Sequence, residues 1–557
     1  MTETTSRTPS AIDAIAQDYV EQLLELDPEF ATYLGLPGRL EDYGDYSPAG
    51  TAARRALLVS TLNRLDGAAP VDDVDVVTLD VMRERLGLEI ELIDFGVTTL
   101  NNIESAPQNV RALLDLMPSD SAEDWGRIAG RLANIPVALS GYIASLEASR
   151  AAGHVAAVRQ IDTVVEQCLA YVEDGGYFDT LPAGAPQEDP ALLARLTDGA
   201  QAAKAAYRGL ATYLKDNLRQ DAPTKDALGR EYYALMSRSF LGAEVDLEET
   251  YAWGVAELDR IIAEQEAVAN EIEAGASIER AREILNSDPA RELHGTDALQ
   301  AWMQEKSNAA LKDLAGTHFD IEPPMDRLEC MIAPTQEGGI YYTPPSADFK
   351  RPGRMWWSVP EGEDVFRTWS ETSTVYHEGV PGHHLQCATA LLAGDVLNTY
   401  RSSAVWVSGH GEGWALYAER LMEELGYLAD PGDRMGMLDG QRLRAARVVF
   451  DIGVHLELDV PERWGTGTWD AQKGWDFLKA NVFESEGRIR FEFLRYLGWP
   501  GQAPSYKIGQ RLWEQIRDEL RTSEGEAFSE KDFHTRALRL GSMGLDSLRR
   551  ALLGADA

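Results

Sequence analysis

Val375-Tyr-His377-Glu378-Gly-Val-Pro-Gly-His383-His384-Leu-Gln386 is the stretch whose reading decides this chain. The chain has nine histidines, and three of them fall within these eight residues from 377 to 384. Neutral imidazole is a good zinc ligand, and a neighbouring carboxylate can activate a bound water. His377-Glu378 is the start of such a device. A strict HExxH spacing fails, because the residue four after His377 is Pro381. His383 stands six residues on, and His384 seven. On an unbroken helix six residues advance about 9 Å, too far for two rings to share one ion easily. Pro381-Gly382 answers this difficulty. Proline cannot make the regular helical bond and glycine accepts unusual dihedrals. The pair predicts a kink or bulge that brings His383 back toward His377, with His384 as the rival ligand.

A catalytic zinc takes three protein ligands and keeps one open position. The third candidate is Glu412, in Ser408-Gly-His-Gly-Glu412-Gly-Trp-Ala-Leu-Tyr-Ala-Glu419, near the start of a predicted helix from Glu412 to Leu425. Glu419 lies two turns later on nearly the same face and is placed to orient a ligand histidine. His410, between two glycines, is a further candidate for substrate contact, against the plainer reading of a solvent-facing turn.

Downstream, Arg447, Asp451 and His455 recur every four residues and form one polar stripe on a predicted helix from Leu443 to Leu458. Such a stripe is usually a wet face. Near a catalytic centre, His455 would bond a substrate carbonyl or its tetrahedral intermediate. Arg495-Tyr496-Leu-Gly-Trp-Pro500-Gly501-Gln502-Ala-Pro-Ser-Tyr506-Lys507 predicts a Pro-Gly turn before another helix. Tyr506 in its first turn is a candidate to stabilise an oxyanion. Lys507 or Arg495 would attract a substrate carboxylate. Ordinary packing and surface ion pairs are the bland alternatives.

Residues 10–330 read mainly as helices, at Ala11 to Leu26, Ser121 to Ala148, Ala156 to Val172, Ala194 to Leu214 and Thr250 to Ile272. Asp246 with Glu249 has the spacing of a capping box. From about residue 330 the texture changes to turns and short extended pieces, including Tyr341-Tyr342 and Met355-Trp-Trp-Ser-Val. From Trp369 it is helical again. The expectation is a mainly α fold with a small β element beside the active-site helix. Residues 1–330 would build the walls of a long groove, and 331–557 would carry the metal. No Gly-rich phosphate loop follows a strand.

The 557 residues include 52 basic and 91 acidic ones, for a net charge of −39. Such a surface repels phosphate backbones and anionic membranes, so neither nucleic acid nor membrane is expected as a partner. Cys168, Cys330 and Cys387 are too dispersed for a disulfide framework. No apolar run is long enough for a signal peptide or a membrane span. A cytoplasmic protein is expected.

Taken together, Tyr341-Tyr342-Thr-Pro-Pro, the His377 to Gln386 stretch, Glu412 to Glu419, Asp451-Ile-Gly-Val-His455 and Arg495 to Gly509 resemble the bacterial DUF885 family, which is similar to the M32 carboxypeptidases and other zincins. The resemblance covers residues 330–520 closely. It implies a long, mostly helical, zincin-like groove with the metal near its floor. It implies His377, His383 and Glu412 as ligands of one zinc, and Glu378 as general base.

The expected function is therefore a zinc-dependent metallopeptidase, a hydrolase of short peptides, with carboxypeptidase action as first subclass. His455 and Tyr506 would hold the oxyanion, and Tyr341-Tyr342 would pair with the substrate backbone. The alternatives are a metal-dependent amide or ester hydrolase, and a non-catalytic peptide-binding protein with a degenerate metal site.

Overall fold

Short polar caps start many of the helices. Ser10 accepts the N–H of Asp13 while Asp13 accepts that of Ser10, opening the Ala11–Leu26 helix. Ser121 and Asp124 do the same for Ala122–Ala151. Asp246 accepts the N–H of Glu249 at 2.8 Å and opens Leu247–Ile272. Each bond satisfies a donor that the first helical turn leaves orphaned. The computed structural model describes residues 7–36, 38–333 and 339–554. The helices expected from periodicity are present, with Val158–Tyr171 and Pro190–Asp216 completing the first half. Among the described residues no helix is long and apolar enough to cross a membrane.

The apolar core divides the chain differently from a cut at residue 330. One buried cluster joins the first helices (Ile12, Tyr19, Met82) to Leu258, Met303, Val449 and Trp513. A second is built from residues 100–218 alone, around the paired helices Ala122–Ala151 and Pro190–Asp216. Residues on both sides of position 330 thus share one core.

The β content is small. Leu328–Ile332 pairs parallel with Gly353–Trp357, and Ile340–Thr343 pairs antiparallel on the other side of that strand. The Tyr341-Tyr342 stretch is therefore an edge strand, with Tyr341 opposite Trp356 and Tyr342 opposite Met355. A second pair joins Glu292–His294 to Val365–Arg367. Residues 334–338, part of the turn-rich segment read from the sequence, lie outside the described residues.

Four helices frame the histidines: Thr368–Glu378, Ser408–Glu424, Pro431–Leu456 and Ser505–Glu524. Glycines set how closely they approach. A Cβ on Gly413 would come within 2.5 Å of the Gly509 backbone, and one on Gly509 within 2.2 Å of the Gly409 carbonyl. Only hydrogen fits there, so the helices bearing Glu412 and Tyr506 lie nearly backbone to backbone.

Candidate metal centre

The helix carrying His377 stops at Glu378, and a new one begins at His383. The break is complete, where the sequence suggested a kink or bulge in one helix. Across it the Gly382 N–H donates to the Tyr376 carbonyl at 3.0 Å, and the His384 N–H to the Gly379 carbonyl at 3.1 Å. A Cβ on Gly382 would sit 1.9 Å from the His377 carbonyl oxygen. Glycine is thus what lets the chain fold back. The return brings the His383 ring against His377, with centroids 4.9 Å apart and planes perpendicular.

Glu412 supplies the third donor. Its Oε2 lies 3.3 Å from His377 Nε2 and 3.5 Å from His383 Nε2. The three donor atoms fall within 4.8 Å of one another. Tetrahedral zinc with bonds of about 2.1 Å has ligand–ligand edges of about 3.4 Å, so the spacing and chemistry of this set fit the ion. His383 Nδ1 has no hydrogen-bond partner among the described residues, so its ring is held through Glu412 and by packing on His377 and Trp406.

Glu419 plays the part its spacing suggested. It accepts from His377 Nδ1 at 2.8 Å, which turns the Nε2 lone pair toward Glu412 and His383. Gln441 steadies Glu419 from the neighbouring helix at 3.4 Å. Burial by itself would lower the His377 pKa, but the bonds to Glu412 and Glu419 raise it to about 10. The ring therefore holds a proton unless a cation takes its place. Burial lowers the case for ionising Glu378, raising its pKa, and the His377 and His383 charges only partly offset this. Glu378 is 7% exposed, and its carboxylate makes no hydrogen bond among the described residues.

His384 is not a ligand. Its Nε2 donates to the Met325 carbonyl at 2.8 Å, and its Nδ1 accepts from the Tyr342 hydroxyl at 2.9 Å. The pair ties the edge strand to the His383 helix. Burial pushes the His384 pKa down to about 4, so the ring stays neutral.

His410 is neither a substrate contact nor a solvent-facing turn. It is buried beside Trp513, where Gln386 donates to its Nδ1 at 3.1 Å.

The structure does not bring His455 to the centre. The ring is 0% exposed, donates to the Tyr496 carbonyl at 2.9 Å and packs on Tyr233. It stands fourteen residues beyond Gln441 on the same helix, about 21 Å at 1.5 Å per residue. The whole stripe is buried. Asp451 accepts from Tyr233 at 2.7 Å and from the Gly501 N–H at 2.9 Å, which fixes the Pro500-Gly501 turn. Arg447 donates to the Tyr496 hydroxyl at 2.7 Å and pairs with Glu492 at 3.2 Å.

Tyr506 lies within reach of the Glu412 charge. Its ring lies 4.9 Å from the Arg447 guanidinium. Burial, and next the Glu412 charge, push its phenol pKa up. Its hydroxyl makes no hydrogen bond among the described residues. Lys507 and Arg495, read as possible anchors for a substrate carboxylate, are engaged. Lys507 pairs with Glu257 at 2.9 Å and with Gln441 at 2.6 Å; Arg495 pairs with Glu492 at 3.4 Å and with Gln502.

Gln441 and Arg444 went unremarked in the sequence. Both sit on Pro431–Leu456, although Gln441 precedes the Leu443 start read for that helix from the sequence. A row three residues apart, 441, 444 and 447, was the signal that could have found them.

Fold and donor set together define a mainly helical protein with a candidate three-ligand metal centre. Residues 28–552 match the family described as bacterial protein of unknown function (DUF885), and the chain belongs to it. Two solved structures share the fold. The "putative lipoprotein from Colwellia psychrerythraea" has a TM-score of 0.85 at 20% identity, covering 97% of this chain and 98% of its own. A "putative lipoprotein of unknown function from Shewanella oneidensis" has a TM-score of 0.73 at 16% identity, covering 98% of this chain and 100% of its own. These likenesses concern fold alone. No curated protein matches the chain.

Proposed function

We propose that this protein is a zinc-dependent, zincin-like peptidase that hydrolyses short peptides, with one zinc per chain held by His377, His383 and Glu412. The observation that carries the reading is the convergence of those three donors within 4.8 Å across a helix break, with Glu378 at the end of the first helix. A zinc ion bound there would polarise a substrate carbonyl and lower the pKa of the attacking water. The Glu378 carboxylate has no competing hydrogen bond among the described residues, and burial raises its pKa. That suits a base that takes a proton from water and gives it to the leaving amine. The Tyr506 phenol, protonated and without a hydrogen-bond partner among the described residues, would donate to the oxyanion. The Ile340–Thr343 strand has a neighbour on one side only among the described residues, so its open edge suits an extended peptide added as a strand. A groove over the centre and a cytoplasmic location, the latter suited to three unpaired cysteines, belong to the same reading. Carboxypeptidase action is the preferred subclass.

The test is metal content of protein purified without added metal, followed by a panel of N-acylated dipeptides. About one zinc per chain is expected. Glu378→Gln should keep the zinc and lose turnover by roughly 10²- to 10⁴-fold. Zinc present with every peptide inert, but a simple amide or ester cleaved, would make it an amide or ester hydrolase. No metal uptake would leave a peptide-binding protein with a degenerate site.

A further inference from the structure

The helix Pro431–Leu456 presents Gln441, Arg444 and Arg447 at three-residue spacing, along one side of the helix. Both ends of the row touch the candidate site. Gln441 bonds Glu419 at 3.4 Å and accepts from Lys507 at 2.6 Å. The Arg447 guanidinium lies 4.9 Å from the Tyr506 ring centroid. Arg444 stands between them and makes no hydrogen bond or ion pair among the described residues. Its Nε is buried without a partner. Its terminal end runs back over Gly440, where a Cβ would meet Nη1 at 2.8 Å, so glycine leaves the guanidinium its room.

In a chain with 91 acidic and 52 basic residues, cations find carboxylates readily. Arg447, Arg495 and Lys507 all have one. Arg444 has no ion pair among the described residues, though its charge reaches Glu378, Tyr506 and Glu484. A partly desolvated guanidinium without a hydrogen-bonded anion is costly, and its planar fork matches a carboxylate with two parallel bonds. We propose that Arg444 binds the free C-terminal carboxylate of the substrate, so that the site takes peptide acids and cleaves their last peptide bond. Water adds to the carbonyl carbon, the C–N bond breaks, and the proton goes to the released amino acid. The inference rests on the peptidase reading of this same site and adds which peptides it takes.

The test uses zinc-loaded full-length protein carrying Glu378→Gln, titrated calorimetrically with N-benzoyl-Gly-Phe and with its C-terminal amide. The acid should bind roughly 10- to 100-fold more tightly than the amide. Adding Arg444→Gln should bring the two close to equal, and Arg444→Lys should keep part of the preference. Zinc content is measured for each variant to show that the centre is intact. Equal binding of acid and amide, binding of neither, or a preference that survives Arg444→Gln would overturn the proposal. Wild-type protein that cleaves acid and amide alike would refute Arg444 while leaving the peptidase reading in place. An acid preference that depends on Arg444, with no turnover of any peptide, would refute the peptidase reading instead.

Discussion

Replacing Gly382 with alanine tests the helix break most directly. The new Cβ would sit 1.9 Å from the His377 carbonyl oxygen, and 2.6 Å from the carbon of that carbonyl and from the Tyr376 oxygen. Real Cβ contacts essentially never fall under 3.0 Å, so one strand of the break must move by about 1.1 Å. The obstacle is backbone, so no side-chain rotation relieves it. The next residue is His383. A shift of that size exceeds the roughly 0.2 Å tolerance of metal–ligand bonds several-fold. His383 would leave the set formed with His377 and Glu412. Zinc affinity should fall by about 100-fold or more, beyond the upper end of losses from outer groups. Overpacking should add about 1–3 kcal/mol of destabilisation. The assay is zinc competition against a chromophoric chelator, alongside thermal unfolding by circular dichroism. Gly394→Ala is the control, because nothing lies within 4 Å of a Cβ there. A folded Gly382→Ala protein with wild-type zinc affinity would refute the claim that this turn assembles the centre.

Glu419→Ala should weaken zinc binding roughly 10- to 100-fold by leaving His377 Nδ1 without its acceptor, and Glu419→Gln, which keeps an acceptor, should weaken it less; unchanged affinity in both would remove Glu419 from the centre. Tyr506→Phe should lower kcat roughly 10²- to 10³-fold, as loss of one oxyanion donor does, with zinc content unchanged; a change in KM alone would refute the oxyanion role. Burial alone would raise the Glu492 pKa, but the Arg447 and Arg495 charges hold it at about 2, against an ordinary 4.5. As an acid with a depressed folded pKa, it stabilises fully above about pH 4.5, and the contribution drains away as pH falls toward 2. Glu492→Gln should therefore cost about 3–5 kcal/mol at pH 7 in urea unfolding and much less near pH 2. A gap that did not shrink with acid would refute that pairing. His455→Ala should lower stability by about 1–3 kcal/mol and leave zinc content and kcat near wild type; selective loss of kcat would return His455 to the chemistry.

The sequence by itself determined what local rules control. Helical periodicity and caps such as Ser121 and Asp246 located the long helices, because a helix is stabilised by bonds and contacts a few residues apart. His377, Glu412 and Glu419 were legible for a related reason. Donor chemistry belongs to the residue type, and a seven-residue spacing on a helix fixes a shared face. Pro381-Gly382 announced a kink or bulge at this place, though not a complete break between two helices. Only the tertiary structure decided where the chain went after the break. It set His383 against His377 and gave both nitrogens of His384 to Met325 and Tyr342. It also divided the cations. Lys507 found Glu257 and Arg447 found Glu492, both far away in the chain, while Arg444 found no ion pair among the described residues. His455 failed as a site residue for the same reason. Its four-residue stripe is real, but burial against Tyr233 and Tyr496 is a property of the packed helices, which no spacing along one helix encodes.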